Sequence, residues 1–477
     1  MTDVPTKDDV PAVPLVLDVD GTLLRTDLLY ETFWAALRNT FLATLRILLT
    51  FWTRPAQLKH ELHGLAALRL DLLPVRAEIL DMAEAARSQG REVRLASGSD
   101  RKMVEALARQ LNLPGVHFGS DPDCNLTGAA KAARLVETFG EGGFDYAGNA
   151  RADLPCWEKA RRVIVVSPNP VLSRQLGALE KPVEVVPDGT GWRDVLHELR
   201  PHQWVKNLLL FLPMLAAHLF EFDRFLVVLV AAIAFSLGAS SLYVVNDMLD
   251  LEADRMHPAK HLRPIASGRF PIHLAMIFSL GLAIAALGLS LLVGMSVFLI
   301  TAAYLAGGLL YSLALKKSRW VDLVALTFLY LMRVVAGAAA AQIPLSPWLA
   351  GVVVAVVLAL AMVKRITGLS RWHVLGHLPG RGYDGHDIPM LLRLAYVSSA
   401  CALGLFLGYA FSPDAAALYS ASSWLALGAI PMGLWLIRII RLSRQGVEDY
   451  DPVVFITHDI PGLALVGTFL GLAFLAA

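Results

Sequence analysis

The sequence predicts two folds in series. An α/β domain with a parallel, doubly wound sheet and a helical cap covers residues 1–190, and an all-α membrane domain of about nine transmembrane helices covers 207–477, with an interfacial helix at 191–206 between them. Three observations carry that reading. Short β-rich runs alternate with charged helical segments in the first part, as in a sheet wound by crossover helices. Long apolar runs recur through the second part. Of the 477 residues, 56% are hydrophobic and the mean hydropathy is +0.54, above the range of an ordinary globular chain, so most of the second part belongs in a bilayer.

The N-terminal stretch, MTDVPTKDDVPAVPLVLDVD, is acidic and has no basic segment ahead of an apolar one, so no cleavable signal peptide is expected. The apolar run 13–17 ends in Asp18-Val19-Asp20-Gly21-Thr22, and further β-rich runs stand at 92–96, 144–147 and 163–166. Sites in parallel sheets lie at the carboxyl ends of the strands, which draws Asp18, Asp20, Ser97 and the stretch 148–153 toward one place. A carboxylate nucleophile with a second carboxylate two residues on can attack a phosphoryl group and protonate its leaving group. A lysine and a Mg²⁺ ion would offset the charge of both partners.

The DxDGT stretch resembles the first motif of the haloacid dehalogenase superfamily of phosphatases, whose fold is Rossmann-like. The resemblance implies Asp18 as nucleophile, Asp20 as acid/base, Ser97 in LASGS on the phosphate, Lys131 in TGAAK beside the phosphoaspartate, and a Mg²⁺ ion held by Asp18, Asp20 and Asp153. The fourth motif of that family reads GDxxxD. Here it reads Gly148-Asn149-Ala150-Arg151-Ala152-Asp153, with an amide where one carboxylate is expected, which weakens metal binding. A catalytic domain and a degenerate fold kept for docking or regulation are the two readings that the departure leaves.

Between the first and second motifs a helical insert over 28–88 has the position of a cap. Its stretch 40–52, TFLATLRILLTFW, is apolar but too short to cross a hydrocarbon core of about 30 Å. It belongs either at the membrane interface, the favoured placement, or in the core of the cap. Interfacial contact would make a lipid phosphate the substrate of the domain.

After Asp188-Gly189-Thr190-Gly191, read as the domain boundary, the segment 192–206 mixes charges with Trp192, Leu196, Leu199 and Trp204 and reads as the interfacial helix. Apolar runs follow at 207–220, 225–247, 272–293, 296–315, 321–341, 347–365, 391–411, 422–440 and 460–477; the first is short and interrupted by Pro213. Lys and Arg cluster in alternate loops, around Arg255–Arg269, Lys316–Arg319, Lys364–Arg393 and Arg438–Arg444, whereas 342–347 and 412–423 carry none. The positive-inside rule makes the basic side cytoplasmic. That parity puts the N-terminal domain in the cytoplasm and the chain in the inner membrane as a multi-pass protein.

At the cytoplasmic end of the second run stand Asn246, Asp247, Asp250 and Asp254. On one continuous helix the three carboxylates fall within about 60° of each other. Like charges so placed repel, unless a divalent cation bound to a phosphorylated ligand compensates them; the bland reading is a solvated acidic helix end. His257, His261, His373, His377 and His386 show no metal-ligand spacing. A net charge of +1 argues against nucleic-acid binding, and the three cysteines form no CxxC pair, so neither a zinc site nor a disulfide framework is indicated.

Residues 198–477 are similar to the UbiA-type intramembrane prenyltransferase superfamily, whose NxxxDxxxD motif is matched by Asn246, Asp250 and Asp254. The fuller stretches RPHQWVKN from Arg200, NDMLDLEADRMHPAK from Asn246 and RPIASG from Arg263 resemble the branch that includes the decaprenyl-phosphate phosphoribosyltransferases of cell wall synthesis. That branch implies Mg²⁺ on Asp247, Asp250 and Asp254, and substrate contacts from Asn246, Lys260, Arg263, Lys316, Asp322, Lys364 and Arg365, with Arg333 continuing the likeness. In a KRxxE element at Lys364-Arg365 the Glu is replaced by Gly368.

The expected activity is transfer of phosphoribose from phosphoribosyl diphosphate to a polyprenyl phosphate, with the phosphatase-like domain removing the 5-phosphate of the product. Two other readings stay open on the residues. One is prenyl transfer from a polyprenyl diphosphate to an aromatic or other acceptor. The other is a non-enzymatic lipid-binding or transport protein, which intramembrane carboxylates alone would permit.

Overall fold

The computed structural model describes residues 13–188, 191–371, 381–446 and 452–477; His373 and His377 lie outside them. It divides into two compact units, Met1–Val195 with Asp247–Met276, and Leu196–Asn246 with Ile277–Ala477. The acidic segment that the sequence assigns to the membrane domain thus packs with the N-terminal unit.

In chain order the first unit contains β1 (Leu15–Leu17), α1 (Leu28–Asn39), α2 (Phe41–Phe51), α3 (Pro55–Leu65), α4 (Ala77–Ser88), β2 (Val93–Asp100) and α5 (Arg101–Gln110). It continues with β3 (Phe118–Ser120), α6 (Ala129–Phe139), β4 (Asp145–Gly148), α7 (Leu154–Lys159), β5 (Arg162–Val166), α8 (Pro170–Gly177) and β6 (Val183–Val186). The six strands form one sheet in the order β3-β2-β1-β4-β5-β6, every pairing parallel. Successive side chains of a strand face opposite ways. Leu15 and Leu17 accordingly join a core with Leu95 and Leu107 on one face, while Val16 joins Ala96, Tyr146 and Trp157 on the other. A strand buried on both faces reads as a continuous apolar run, which is why β1 is legible and the half-exposed edge strand β6 is not.

The cap has its own small core, Ala36, Leu62 and Ala66 with Phe33, Ile47 and Leu58, built by α1, α2 and α3. The last helix of the predicted insert belongs elsewhere. Ile79, Ala83 and Ala86 of α4, one helical face, pack into the sheet core beside Leu15 and Val93. Asp27 starts α1 by accepting the Leu29 amide at 2.8 Å, and Asp100 starts α5 by accepting that of Lys102 at 2.9 Å.

Seven helices among the described residues are long and apolar enough to cross a membrane: Phe222–Leu249, Ile272–Val293, Met295–Leu313, Val321–Ala341, Pro347–Arg371, Gly385–Ala410 and Ser422–Gln445. An eighth results if the pair Pro452–His458 and Ile460–Ala476, bent by 95°, counts as one span. This is an integral membrane protein with fewer spans than the nine expected. The run 207–220 fails outright: it lies in a tight helix, Pro201–Phe211, followed by the single turn and a half Leu212–Ala216, with Pro213 at its start. Neither piece approaches the roughly 20 residues that a spanning α-helix needs.

Candidate functional site

At the carboxyl end of β1 the chain turns through Val19–Leu23, where Gly21 has φ +75° and a Cβ would lie 2.2 Å from the Asn149 amide nitrogen. Only glycine fits there. Asp18 Oδ1 accepts from Lys131 Nζ at 2.7 Å, and its Oδ2 accepts from the Thr22 hydroxyl at 3.2 Å. Lys131 also donates to Tyr146 Oη at 3.0 Å and to Asp153 Oδ1 at 3.3 Å. Burial pushes the Asp18 carboxyl up to about 8 against the pull of Lys131, with Asp153 and Asp20 adding to the rise. Burial works against the Lys131 ammonium, but Asp18 and Asp153 more than offset it and hold its pKa above the ordinary lysine value.

Asp153 is engaged on both oxygens inside the chain. Its Oδ1 accepts from Lys131 and Tyr146, and its Oδ2 from the amides of Asn149 at 3.1 Å and Ala150 at 3.2 Å. All four lone-pair positions of a carboxylate are thereby used within the chain. Asp153 orients Lys131 and the 149–150 turn.

Asp20 is aimed by three donors: Leu28 N to Oδ1 at 2.8 Å, and the hydroxyls of Ser97 and Ser99 to Oδ2 at 2.6 and 2.8 Å. Ser97, expected on a phosphate, here donates to the second carboxylate. From the cap, Lys59 reaches the end of β2, donating to the Gly98 carbonyl at 2.5 Å and to Asn125 Oδ1 at 3.0 Å. Burial lowers its pKa, against the pull of Asp20 and Asp27; Asp27 itself is pushed up to about 7 by burial and by Asp20. No motif marks Lys59, so sequence reasoning missed it.

The acidic segment also belongs to this unit. The helix Phe222–Leu249 ends before Asp250, whose φ −102° and ψ 14° break it, and a short helix Leu251–Met256 follows. The single continuous helix expected for the three carboxylates is therefore absent. Asp247 and Asp254 are nonetheless brought together, both accepting from Arg263 Nη1 at 3.1 and 2.5 Å. Burial pushes Asp254 up to about 6 against Arg263, with Asp247 contributing. Among the described residues no three His, Cys, Asp or Glu groups are arranged to hold a metal ion; Arg263 pairs with Asp247 and Asp254, and Lys131 with Asp18 and Asp153.

Arg255, next in sequence to Asp254, donates to both oxygens of Glu31 in α1 and to the Ala266 carbonyl. Gly268 closes the segment at φ +74°, where a Cβ would lie 2.7 Å from the Arg25 carbonyl oxygen. The RPIASG stretch is thus fitted against the start of the cap. Sequence spacing gave no sign of the partnership with Glu31.

In the second unit, Lys316 donates to Asn246 Oδ1 at 2.9 Å. Asp322 accepts from Arg365 Nε at 2.6 Å and Nη2 at 2.9 Å, from Arg381 at 2.8 Å and from the Tyr311 hydroxyl at 2.9 Å. Asp322 and Arg365, expected on substrate, are buried and paired with one another. Arg333, also buried, donates to Asn207 Oδ1 and to Tyr304 Oη, both at 2.9 Å, and stacks on Tyr304 and Tyr330. Lys364 is half-buried on the span Pro347–Arg371.

The pattern of the UbiA prenyltransferase family matches residues 208–458. An uncharacterized protein of Sinorhizobium fredii is 31% identical over 98% of this chain and 91% of its own length. A decaprenyl-phosphate phosphoribosyltransferase of Mycobacterium tuberculosis is 34% identical over 51% of this chain and 81% of its own length. Nodulation protein NoeC of Azorhizobium caulinodans is 31% identical over 58% of this chain and 91% of its own length.

Proposed function

This chain belongs to the UbiA prenyltransferase family, a membrane transferase, and on that premise we propose that it moves phosphoribose from phosphoribosyl diphosphate to a polyprenyl phosphate in the inner membrane. The observation that carries the choice of donor is the likeness to the Mycobacterium tuberculosis decaprenyl-phosphate phosphoribosyltransferase. In the reaction a phosphate oxygen of the lipid bonds to the anomeric carbon, and diphosphate leaves.

Mg²⁺ is commonly held by one or two carboxylates plus substrate phosphate oxygens. The Asp247 and Asp254 pair fits that need, with Asp250 beside them, and bound Mg²⁺ would offset the charge of the departing diphosphate. Lys260 and Arg263 supply fixed positive charge in the first unit; in the second, Lys316 on Asn246 and Lys364 are the cations we assign to phosphate oxygens. Asp322 and Arg365 act through the framework.

For the first unit we propose a cytoplasmic phosphatase of haloacid dehalogenase type that removes the 5-phosphate of the lipid-linked product. Asp18 attacks phosphorus, and Asp20, aimed by Ser97, Ser99 and the Leu28 amide, protonates the leaving oxygen and then takes a proton from the water that frees Asp18. Lys131 stabilises the charge on Asp18 throughout. The parallel sheet order, with these groups at the end of its central strand, supports this reading.

The test uses the full chain in vesicles with labelled phosphoribosyl diphosphate and a polyprenyl phosphate. Label in the lipid fraction, followed by loss of one phosphate, is the expected result. No lipid label, together with prenylation of an aromatic acceptor from a polyprenyl diphosphate, would replace the donor assignment with the second reading.

A further inference from the structure

We propose that α2 of the cap lies in the headgroup boundary of the bilayer, so that the first unit works on phosphate presented at the membrane surface. The placement rests on the geometry alone; the substrate class rests on the phosphatase reading above.

At about 100° per residue, Phe41, Leu42, Leu45, Leu49 and Trp52 fall within about 100° of one another. All five are exposed, with Leu42 at 78%, Leu49 at 73% and Trp52 at 75%. Nothing in the cap requires this, because Ile47, on the opposite side of the helix, already packs with Ala36 and Leu62. A water-soluble cap would carry polar residues on that arc. Between Thr40 and Pro55 the only charged residues are Arg46 and Arg54, both exposed. An apolar stripe ending in a tryptophan and flanked only by cations is the composition of a helix that lies on anionic lipid.

The same unit indicates which apolar phase covers the stripe. Ala35, Arg38 and Asn39 at the end of α1 line one pocket with Met248 and Leu249, the last residues of a membrane-spanning helix, and with Glu252. Arg38 is paired to Glu252 at 3.1 Å. α2 begins at Phe41, three residues beyond that contact. The stripe therefore starts where a span leaves the bilayer, and the bilayer is its occupant.

The test uses the full chain in vesicles of phosphatidylcholine and phosphatidylglycerol, with the exposed Cys124 and Cys401 changed to serine. Nitroxide labels are attached singly at Leu42→Cys, Leu49→Cys, Thr50→Cys and Glu61→Cys; the last two lie off the stripe and are exposed. Labels at 42 and 49 should be relaxed more by oxygen than by a water-soluble nickel chelate, and those at 50 and 61 the reverse. Equal access of nickel to all four overturns the placement, as does shielding from both reagents with spin–spin broadening, which would mean that a second copy covers the face. Separately, Leu42→Glu combined with Leu49→Glu should lower hydrolysis of a long-chain lipid-linked phosphoribose in vesicles at least tenfold and leave a short-chain, water-soluble analogue unaffected. Equal loss on both overturns the substrate class. If the unmodified chain hydrolyses neither, the phosphatase reading fails, while the labels still decide where α2 lies.

Discussion

Glu31 and Arg255 meet as a two-pronged ion pair, Nη1 to Oε2 at 3.0 Å and Nη2 to Oε1 at 2.5 Å, with side chains only 1% and 7% exposed. The Thr26 hydroxyl adds a third bond to Glu31 at 2.7 Å. Thr26 lies four residues beyond the DxDGT stretch, and Arg255 immediately follows Asp254, so one buried pair joins the surroundings of both acidic motifs. Removing one partner of a buried pair strands the other charge and costs about 3–5 kcal/mol, whereas replacing both with apolar groups is often close to neutral. Glu31→Gln is expected to speed hydrogen exchange in α1 and in 251–256 together; Glu31→Leu with Arg255→Met is expected to restore most of the protection. Exchange that rises in one segment only would show that the pair does not couple them.

The acidic segment should be indispensable for transfer. Asp254→Asn and Asp247→Asn each remove half of the carboxylate pair on Arg263, and Asp250→Asn removes the third charge. For Asp250 and Asp254 the expected loss is several orders of magnitude in label transfer to lipid, the scale on which preorganised electrostatics acts. Folding should survive, since Arg263 keeps one partner in each variant. Transfer near the unmodified rate at saturating Mg²⁺ would remove these residues from the site.

In the full-length chain, Asp18→Asn should abolish phosphate release from the lipid-linked product, because an amide is not a nucleophile of this kind. With Asp153 saturated inside the chain, Asn149 is the position at which a carboxylate is lacking. Release by the unmodified chain should be slow, and Asn149→Asp should raise it in Mg²⁺. No release by either leaves a docking or regulatory role as the better account of the unit.

Topology can be checked by labelling single introduced cysteines in sealed membranes. Ser318 should react from the cytoplasmic side, and Ser346 and Ser420 from the other, following the alternation of Lys and Arg between loops. Reaction of Ser318 and Ser346 from the same side would mean that Val321–Ala341 does not cross.

Elements dictated by local pattern were legible in the sequence. The central strand β1 and the seven long apolar helices follow from runs whose period and length leave little choice. Strands β3 and β6 were not legible, being short or half-exposed and lacking a repeat long enough to register. Residues 207–220 have the greasiness of a span, but Pro213 and the tight helix before it deny them the length. The three carboxylates fitted one helical face only on the assumption that the helix continues, and the backbone at Asp250 ends it. Lys131 beside Asp18 was recoverable through a motif. The saturation of Asp153 was not, because it depends on two backbone amides and a tyrosine hydroxyl that composition does not reveal. Nor was Arg255 on Glu31, a pairing across 224 residues that no local rule reaches.

The first unit is discontinuous in sequence, Met1–Val195 completed by Asp247–Met276, and this sets an order of assembly. Translation delivers all six strands by Val186, yet Glu31 has no guanidinium until the ribosome has passed Arg255, with the helix Phe222–Leu249 made in the interval. Domains generally fold as units during synthesis; this one is complete only once the segment Asp247–Met276 has followed the helix Phe222–Leu249 in synthesis. A chain cut short before Arg255 is left with a buried carboxylate in α1 lacking its counter-ion. Completion of the first unit thus waits on the synthesis of a membrane-spanning helix that lies, in sequence, between its two pieces.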